Sequence, residues 1–361
     1  MRFDGPGVIS NLLETGPAAA APPLAESAFD PNPGNLRMFQ YVPQGLKPGA
    51  ALVVTLHGCG QTAGGYDLGA GWCALADQSG FAVLAPEQKA VNNPNTCFDW
   101  FNPEDITRDS GEAASIATMV RSMVEAHRLD PSRIFITGLS AGGAMTSVML
   151  ATYPELFAGG AIIAGLPYGA AQNVRDALEC MRGAPLRTPA QWGDLVRAAS
   201  DHKGPWPRIS VWHGALDATV NISNAQAIAA QWSDLHGLSL AAARQELVDG
   251  AIRLSWGDQL EVYTLPALGH GTPIDSRDLG EPAPFILEAG ISSSRRIAQF
   301  WGLASIAKQV PVRGEPRPLA LLEIEAALLA KGSDESSKGS RMPKAENLIW
   351  RALKMVGLIR R

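Results

Sequence analysis

Short apolar runs alternate with longer amphipathic segments along the central part of the chain. Residues 36–42 resemble a strand, and six further runs are continuously or nearly continuously apolar: 51–56, 81–85, 134–137, 161–164, 209–212 and 260–265. Continuous runs rich in Val, Leu and Ile are typical of strands that are buried on both faces of a parallel sheet. The pattern therefore predicts a largely parallel, buried sheet.

Helical spacing occurs between these runs. Residues 112–127 carry apolar side chains three or four positions apart, at Ile116, Met119, Val120, Met123 and Val124. Three further helices are predicted at 141–153, at 223–236 with Ser223 as a suitable N-cap, and at 295–303. Strands that alternate with helices predict an α/β domain whose doubly wound sheet has helices on both faces.

The same pattern divides the chain into segments. Residues 1–34 are rich in Ala, Pro and Gly without a period, which predicts an irregular N-terminal arm. The α/β domain is expected over 35–305. Within it, 166–207 reads as an insertion between the fourth and fifth apolar runs, and such insertions lie over the carboxyl ends of the strands, where ligands bind. Residues 306–361 form a C-terminal extension.

The C-terminal extension ends in a basic amphipathic segment. Residues 331–361 contain eight Lys or Arg against three Asp or Glu. A helix over 345–361 would place Leu348, Ile349, Leu353 and Val356 on one face. Two interpretations stay open: the segment packs on its own domain or forms a disordered tail, or it contacts an anionic or apolar surface or another subunit.

Composition narrows the function classes. The chain has 361 residues, of which 46% are hydrophobic and 18% charged, so a large core is expected and disorder is not. The net charge of −5 argues against a nucleic-acid partner. No apolar run approaches the ~18 residues of a transmembrane helix. The N-terminus shows no signal-peptide pattern, which by itself predicts a cytoplasmic protein.

The sharpest chemical signal is the motif Gly138-Leu139-Ser140-Ala141-Gly142. It directly follows the apolar run RIFIT and opens the helical segment AMTSVMLATY. In this context G-x-S-x-G is a nucleophile elbow, in which a tight strand-to-helix turn exposes the serine. The motif predicts Ser140 as a catalytic nucleophile.

A serine nucleophile needs a base, and the base needs an acid that orients it. In this architecture the acid and then the histidine follow the serine along the chain. Asp217 follows the run 209–212, and His270 follows the strand 260–265, so both lie in loops at strand ends. His213 precedes the acid and is expected to fix its loop. The predicted triad is Ser140, Asp217 and His270, and it requires no metal or cofactor.

Acyl transfer also needs two hydrogen-bond donors for the oxyanion. The backbone N–H of Ala141 follows the nucleophile, and the glycine-rich end of the first buried run offers the N–H of Cys59. The four cysteines Cys59, Cys73, Cys97 and Cys180 match no zinc spacing. Four free thiols are the default interpretation for a cytosolic chain, whereas a disulfide from Cys59, best to Cys97, would hold the oxyanion loop in place.

Several of the nine tryptophans fall in loop-rich segments. Trp192 and Trp206 belong to the insertion, so we expect at least one of them beside the acyl or alcohol part of a substrate. The alternative is that these rings pack beneath long connections.

The chain resembles the polyhydroxybutyrate depolymerase family of α/β-hydrolase esterases, which is similar to feruloyl and acetylxylan esterases. The resemblance covers about residues 36–303 and rests on the segments LHGCGQTAGGYDLGAGWC, NPNTCFDWFNPED, GLSAGGAMTSVMLATYPELF, WPRISVWHGALDATVNISNA, GHGTPID and ISSSRRIAQFWGL. It implies an α/β-hydrolase fold, the triad Ser140, Asp217 and His270, and Cys59 in the oxyanion loop. It also implies an extracellular protein.

The resulting prediction is a serine esterase that acts through an acyl-enzyme on hydroxyalkanoate polyesters, their oligomers or feruloyl-type esters. Two alternatives stay open. One is an amide hydrolase that cleaves polyaspartate-like chains with the same triad. The other is a non-catalytic protein that binds polymer granules, with which the intact triad is hard to reconcile.

Overall fold

The computed structural model describes residues 24–305, and a mostly parallel sheet runs through them. Ten strands form that sheet, in the order β1-β2-β4-β3-β5-β6-β7-β10-β9-β8. In chain order they are β1 Ala25–Ser27, β2 Arg37–Tyr41, β3 Ala51–Leu56, β4 Phe81–Glu87, β5 Ile134–Leu139, β6 Gly159–Ile163, β7 Arg208–Gly214, β8 Arg244–Val248, β9 Ala251–Trp256 and β10 Leu260–Leu265. Two short strands, β11 Thr272–Ile274 and β12 Ile286–Glu288, form a separate parallel pair.

The six strands from β4 to β10 in this order pair in parallel, and both ends of the sheet continue in antiparallel pairs. Parallel neighbours need crossover connections, which the helices supply. The helices of the described region are α1 Ala63–Ala70, α2 Trp72–Ser79, α3 Pro103–Ile106, α4 Gly111–His127, α5 Ala141–Thr152, α6 Val174–Arg182, α7 Pro189–Arg197, α8 Ser223–Leu235 and α9 Ser293–Phe300.

The core lies on both faces of the sheet. On β3, Leu52 and Val54 point into one apolar cluster, while Val53 points into the other, as the two-residue period of a strand requires. The first cluster includes residues of α4, α5 and α8, and the second includes residues of α1, α2 and α9. Burial on both faces explains why these strands are continuously apolar.

The predicted fold class is confirmed, and the buried strands and the helices over 112–127, 141–153 and 223–236 agree with prediction to within a few residues. The predicted irregular arm needs a correction, because residues 25–27 form a strand that pairs with β2. Its physical reason is that β2 is otherwise an open edge, and pairing satisfies its backbone groups. The rest of the arm and the basic segment 345–361 lie outside the described residues.

The insertion 166–207 contains α6 and α7. The N–H of Asn221, close to Asp217 in the chain, donates to the carbonyl oxygen of Met181 in α6. The insertion therefore touches the loop that carries the predicted acid. Across residues 24–305, no helix combines the length and apolar character needed to cross a membrane.

Candidate active site

Ser140 occupies the sharp turn between β5 and α5. Its backbone angles are φ 57° and ψ −115°, a conformation that a residue with a side chain rarely adopts. Its N–H donates to the carbonyl oxygen of Ile163 in the neighbouring strand β6, at 2.9 Å. Backbone strain of this kind costs about 1–3 kcal/mol and persists only where the surrounding structure enforces it. This strain is expected of a nucleophile elbow.

Two glycines let the backbone of the elbow approach its neighbours. A Cβ atom on Gly138 would lie 2.4 Å from the carbonyl carbon of Gly142, and one on Gly142 would lie 2.3 Å from the carbonyl oxygen of Leu56. Neither position accepts a side chain without a backbone shift. The two glycines therefore allow α5 to begin directly against β3 and β5, with Ser140 at the carboxyl edge of the sheet.

His270 links Ser140 to Asp217. Its Nε2 atom lies 2.9 Å from Oγ of Ser140, and its Nδ1 atom lies 2.7 Å from Oδ2 of Asp217. Because a carboxylate only accepts, Nδ1 carries the proton, and Nε2 is left to accept a hydrogen bond from the serine hydroxyl. This tautomer is assigned from the hydrogen-bond network. The structure thus brings together the three residues of the predicted triad.

Asp217 is held from several directions in the loop after β7. Its Oδ1 atom accepts hydrogen bonds of 2.8 Å from the N–H groups of Thr219 and Val220, and its Oδ2 atom faces His270 and, at 3.4 Å, His213. Burial raises the pKa of this carboxyl, but hydrogen bonds from both histidines and from Val220 outweigh burial and hold the pKa well below its usual range. Asp217 is therefore ionised at neutral pH.

His213 supports the acid loop from inside the core. Its Nε2 atom donates to the carbonyl oxygen of Val220 at 2.8 Å, while its Nδ1 atom is buried with no hydrogen-bond partner in residues 24–305. The bond to a carbonyl requires the proton on Nε2, the nitrogen that faces Asp217. His213 thus closes the loop 213–220 around the carboxylate, as the sequence suggested.

The predicted oxyanion loop, which contains Gly58 and Cys59 at the end of β3, is oriented by a buried histidine. Nδ1 of His57 donates to the carbonyl oxygen of Gly58 at 2.8 Å, and its Nε2 accepts the N–H of Gln88 at 3.1 Å. Burial lowers the pKa of His57, which keeps the ring neutral. Because C=O and N–H point in opposite directions across a trans peptide, the N–H of Cys59 points away from His57.

This loop packs directly against the elbow. A Cβ atom on Gly58 would lie 3.4 Å from the carbonyl oxygen of Leu139, the residue before Ser140. The backbone N–H groups of Cys59 and Ala141 donate to no acceptor in residues 24–305. Two unpaired donors on adjoining segments, one of them next to Ser140, are what an oxyanion hole requires.

A disulfide bond fixes the oxyanion loop. Cys59 is bonded to Cys97, across 38 residues, and the N–H of Gly60 donates to the carbonyl oxygen of Asn95 at 2.7 Å. Cys73 and Cys180 are free and buried. Of the alternatives that the sequence left open, the structure shows the Cys59–Cys97 pair.

The two tryptophans of the insertion lie in different surroundings. Trp192 is fully buried in the core, so it offers no surface to a ligand and follows the alternative of packing within the protein. Trp206 is half-buried, with its ring edge-on to those of His202 and Trp232. A role for Trp206 in substrate binding stays a prediction. Trp192 lies on the buried face of the amphipathic helix α7. The sequence pattern did not distinguish this helix from an exposed loop.

One group of carboxylates in the described region has metal-binding spacing, namely Asp99, Asp105 and Glu112. Each already accepts hydrogen bonds: Asp99 from Asn93, Asp105 from Asn102, and Glu112 from Gln88 and the backbone. Burial and the two aspartates raise the pKa of Glu112 well above its usual value, which favours its neutral form. The three carboxylates therefore belong to a hydrogen-bond network within the protein.

Sequence reasoning missed Phe285. Its ring lies edge-on to the imidazole of His270, with 5.9 Å between ring centres. The segment PAPF carries no motif, and only the fold places it beside the strand that follows His270.

Comparison with known proteins shows which family the chain belongs to. The model of the family described as esterase PHB depolymerase matches residues 38–250. The chain belongs to the esterase PHB depolymerase family. It is 45% identical over 287 residues to poly(3-hydroxyalkanoate) depolymerase C of Paucimonas lemoignei, covering 77% of this chain and 69% of that protein. It is 34% identical to an acetylxylan esterase of Coprinopsis cinerea, covering 72% of each.

A solved structure agrees with this assignment. The acetyl xylan esterase of Aspergillus awamori is 28% identical, with a TM-score of 0.68, and the match covers 78% of this chain and 99% of that one. The protein is therefore an ester-hydrolysing enzyme with an α/β-hydrolase fold, and the predicted family is confirmed.

Proposed function

We propose that this esterase cleaves its substrate through an acyl-enzyme on Ser140. The observation that carries the proposal is the continuous hydrogen-bond chain from Ser140 Oγ through His270 to Asp217, with steps of 2.9 and 2.7 Å. Both distances lie within the range for a nucleophile and its base.

The two half-reactions follow from this geometry. His270 Nε2 takes the hydroxyl proton as Ser140 Oγ attacks the ester carbonyl, and the resulting imidazolium is stabilised by ionised Asp217. The tetrahedral oxyanion accepts hydrogen bonds from the N–H groups of Cys59 and Ala141. His270 then protonates the leaving alcohol. Water, deprotonated by the same nitrogen, releases the acid and restores Ser140.

For the substrate, we propose hydroxyalkanoate polyesters or their oligomers. The support is the 45% identity to a poly(3-hydroxyalkanoate) depolymerase, which exceeds the 34% identity to an acetylxylan esterase and the 32% identity to a feruloyl esterase of Talaromyces stipitatus. Acetylxylan and feruloyl esters are the second candidate.

The test is a hydrolysis panel run with wild-type protein and Ser140→Ala. The panel contains hydroxybutyrate oligomers, acetylated xylan, a feruloyl ester, short nitrophenyl esters and polyaspartate. We expect hydroxybutyrate oligomers to be hydrolysed faster than the other substrates of the panel, and Ser140→Ala to lose all hydrolysis. Faster cleavage of polyaspartate than of any ester would favour the amide alternative.

A fluorophosphonate probe separates catalysis from binding. Covalent labelling of wild type and its absence in Ser140→Ala is the expected result, because the probe reports an activated serine. Lack of labelling in folded wild type, together with tight adsorption to polymer granules, would support the non-catalytic binder.

We propose an extracellular location. The support is the Cys59–Cys97 disulfide, because stable disulfides are typical of oxidising compartments. Detection of the protein in the culture medium of its native host is expected. Recovery from the cytosol alone, with Cys59 and Cys97 reduced, would contradict this.

A further inference from the structure

A tight turn brings a bulky aromatic side chain beside His270. Ala283 and Ile286 exchange backbone hydrogen bonds of 3.2 and 2.9 Å, so Pro284 and Phe285 are the two central residues. Proline suits the first central position, whereas a positive φ at the second normally calls for glycine. Phe285 has φ 64° there. Turn chemistry alone would favour a glycine at this position.

The turn is anchored to both sides of the catalytic site. The carbonyl oxygen of Pro284 accepts a hydrogen bond from Gln61 Nε2 at 3.1 Å, and Gln61 Oε1 accepts the N–H of Gly58 at 2.9 Å. The carbonyl oxygen of Phe285 accepts the N–H of Thr272 at 2.8 Å. Phe285 is therefore held between the oxyanion loop and the loop that carries His270.

Packing within the protein does not account for the residue. Phe285 remains 44% exposed, and its ring makes an angle of 74° with the imidazole of His270. An aromatic side chain with this exposure contributes only part of its burial energy to folding, while its positive φ opposes folding. Such strain beside a catalytic group suggests that the exposed ring face has a role in binding.

The position of the ring indicates which part of the ester it contacts. Under the proposed mechanism, on which this inference rests, His270 Nε2 protonates the leaving oxygen, so the alcohol part must come within hydrogen-bond distance of that nitrogen. Phe285 flanks the same imidazole at 5.9 Å. We therefore expect the first few atoms of an alcohol bound at that nitrogen to lie close enough to contact the ring.

We propose that Phe285 is a specificity-determining residue, and that it selects esters whose alcohol part is a hydrocarbon over the first few atoms from the ester oxygen. Apolar contact with the ring stabilises such an alcohol, whereas a polar group of equal size loses water at the same surface without gaining a partner. A ring that only screened His270 would affect all esters alike.

The test uses two isosteric substrate pairs. Butyl acetate and 2-methoxyethyl acetate differ only in the alcohol, and ethyl pentanoate and ethyl 3-methoxypropanoate differ in the same way in the acyl part. We would measure kcat/KM for all four with wild type, Phe285→Ala, Phe285→Tyr and Phe285→Gly. The control Leu247→Ala removes an exposed apolar side chain from β8, at the far edge of the sheet.

Phe285→Ala is expected to lower the butyl-to-methoxyethyl ratio of kcat/KM about tenfold, which is the discrimination that a few methylene contacts provide. The acyl-pair ratio should stay within about twofold, and Phe285→Tyr should keep the wild-type alcohol ratio. An unchanged alcohol ratio, or a change confined to the acyl pair, would overturn the proposal.

Thermal unfolding shows whether the variants fold. Phe285→Gly should unfold at no lower temperature than Phe285→Ala, because glycine adopts positive φ without strain. Ser140→Ala, assayed beside these variants, separates the two hypotheses. If it retains hydrolysis, the proposed function fails. If it is inactive while the alcohol ratio of Phe285→Ala matches wild type, only the inference about Phe285 fails.

Discussion

The imidazole of His57 holds the carbonyl oxygen of Gly58 at 2.8 Å from the buried side of the oxyanion loop. This one bond sets the plane of the peptide whose other end is the N–H of Cys59. The N–H of Cys59, the proposed oxyanion donor, is thus oriented before any substrate arrives, and preorganised donors stabilise an oxyanion more than mobile ones do.

We expect His57→Ala to lower kcat about 100-fold with little change in KM, because loss of one oxyanion donor reduces kcat by about 10²–10³. Steady-state kinetics on a short nitrophenyl ester would measure this. His127→Ala, which removes the half-buried histidine at the end of α4, is the matched control and should behave as wild type. A parallel rise in KM would instead indicate a disturbed binding surface.

Asp217→Asn should lower kcat by about 10³–10⁴, because an amide no longer holds the imidazole in the tautomer that accepts a proton. Circular dichroism should show an unchanged fold. Asp201→Asn alters an exposed carboxylate of the insertion and should leave kcat unchanged. Activity of Asp217→Asn within tenfold of wild type would remove Asp217 from the proposed triad.

The disulfide predicts a joint loss of stability and turnover. Cys97→Ala, or treatment with a reductant, should lower the free energy of unfolding by about 3–4 kcal/mol for a loop of this length, and kcat should fall because the oxyanion loop is released. Denaturant titration and kinetics would be measured together. Cys180→Ala, which removes a free buried thiol, is the control. Treatment with a reductant should still lower both stability and kcat in this variant. Loss of stability with unchanged kcat would separate the bond from catalysis.

Asp67 in α1 predicts a pH-dependent difference in stability. Burial raises the pKa of its carboxyl to about 6, although hydrogen bonds from Cys73 oppose this. The folded protein then holds the proton more tightly than the unfolded chain, so Asp67 lowers stability as pH rises from about 4 to 6. Relative to wild type, Asp67→Asn should gain about 3 kcal/mol between pH 4 and pH 8, at roughly 1.4 kcal/mol per unit. A constant difference across this range would contradict the assignment.

The central sheet was predictable because strands that are buried on both faces, such as β3 and β5, appear in the sequence as continuous apolar runs. The grouping of Ser140, Asp217 and His270 was predictable because each of these residues follows an apolar strand in a fixed chain order. Trp192 and Phe285 were not predictable. Whether a ring is buried or faces a substrate depends on helix rotation and on contacts between distant segments, which local spacing does not encode.

The edge strands were harder for a related reason. β8 carries mostly exposed or partly exposed residues, and its pairing with β9 is defined by the partner rather than by its own sequence. The strand β1 in the predicted arm has three residues, too few for a periodic signal.

The separation of 130 residues between Ser140 and His270 has a kinetic consequence. The two side chains meet only after β5, β6, β7 and β10 have paired across the sheet, and long-range parallel pairings are slow to form. During refolding, ester hydrolysis should therefore recover no earlier than the slowest of these pairings, even when helical circular dichroism has already returned. Recovery of catalytic activity therefore reports complete folding more strictly than recovery of secondary structure does.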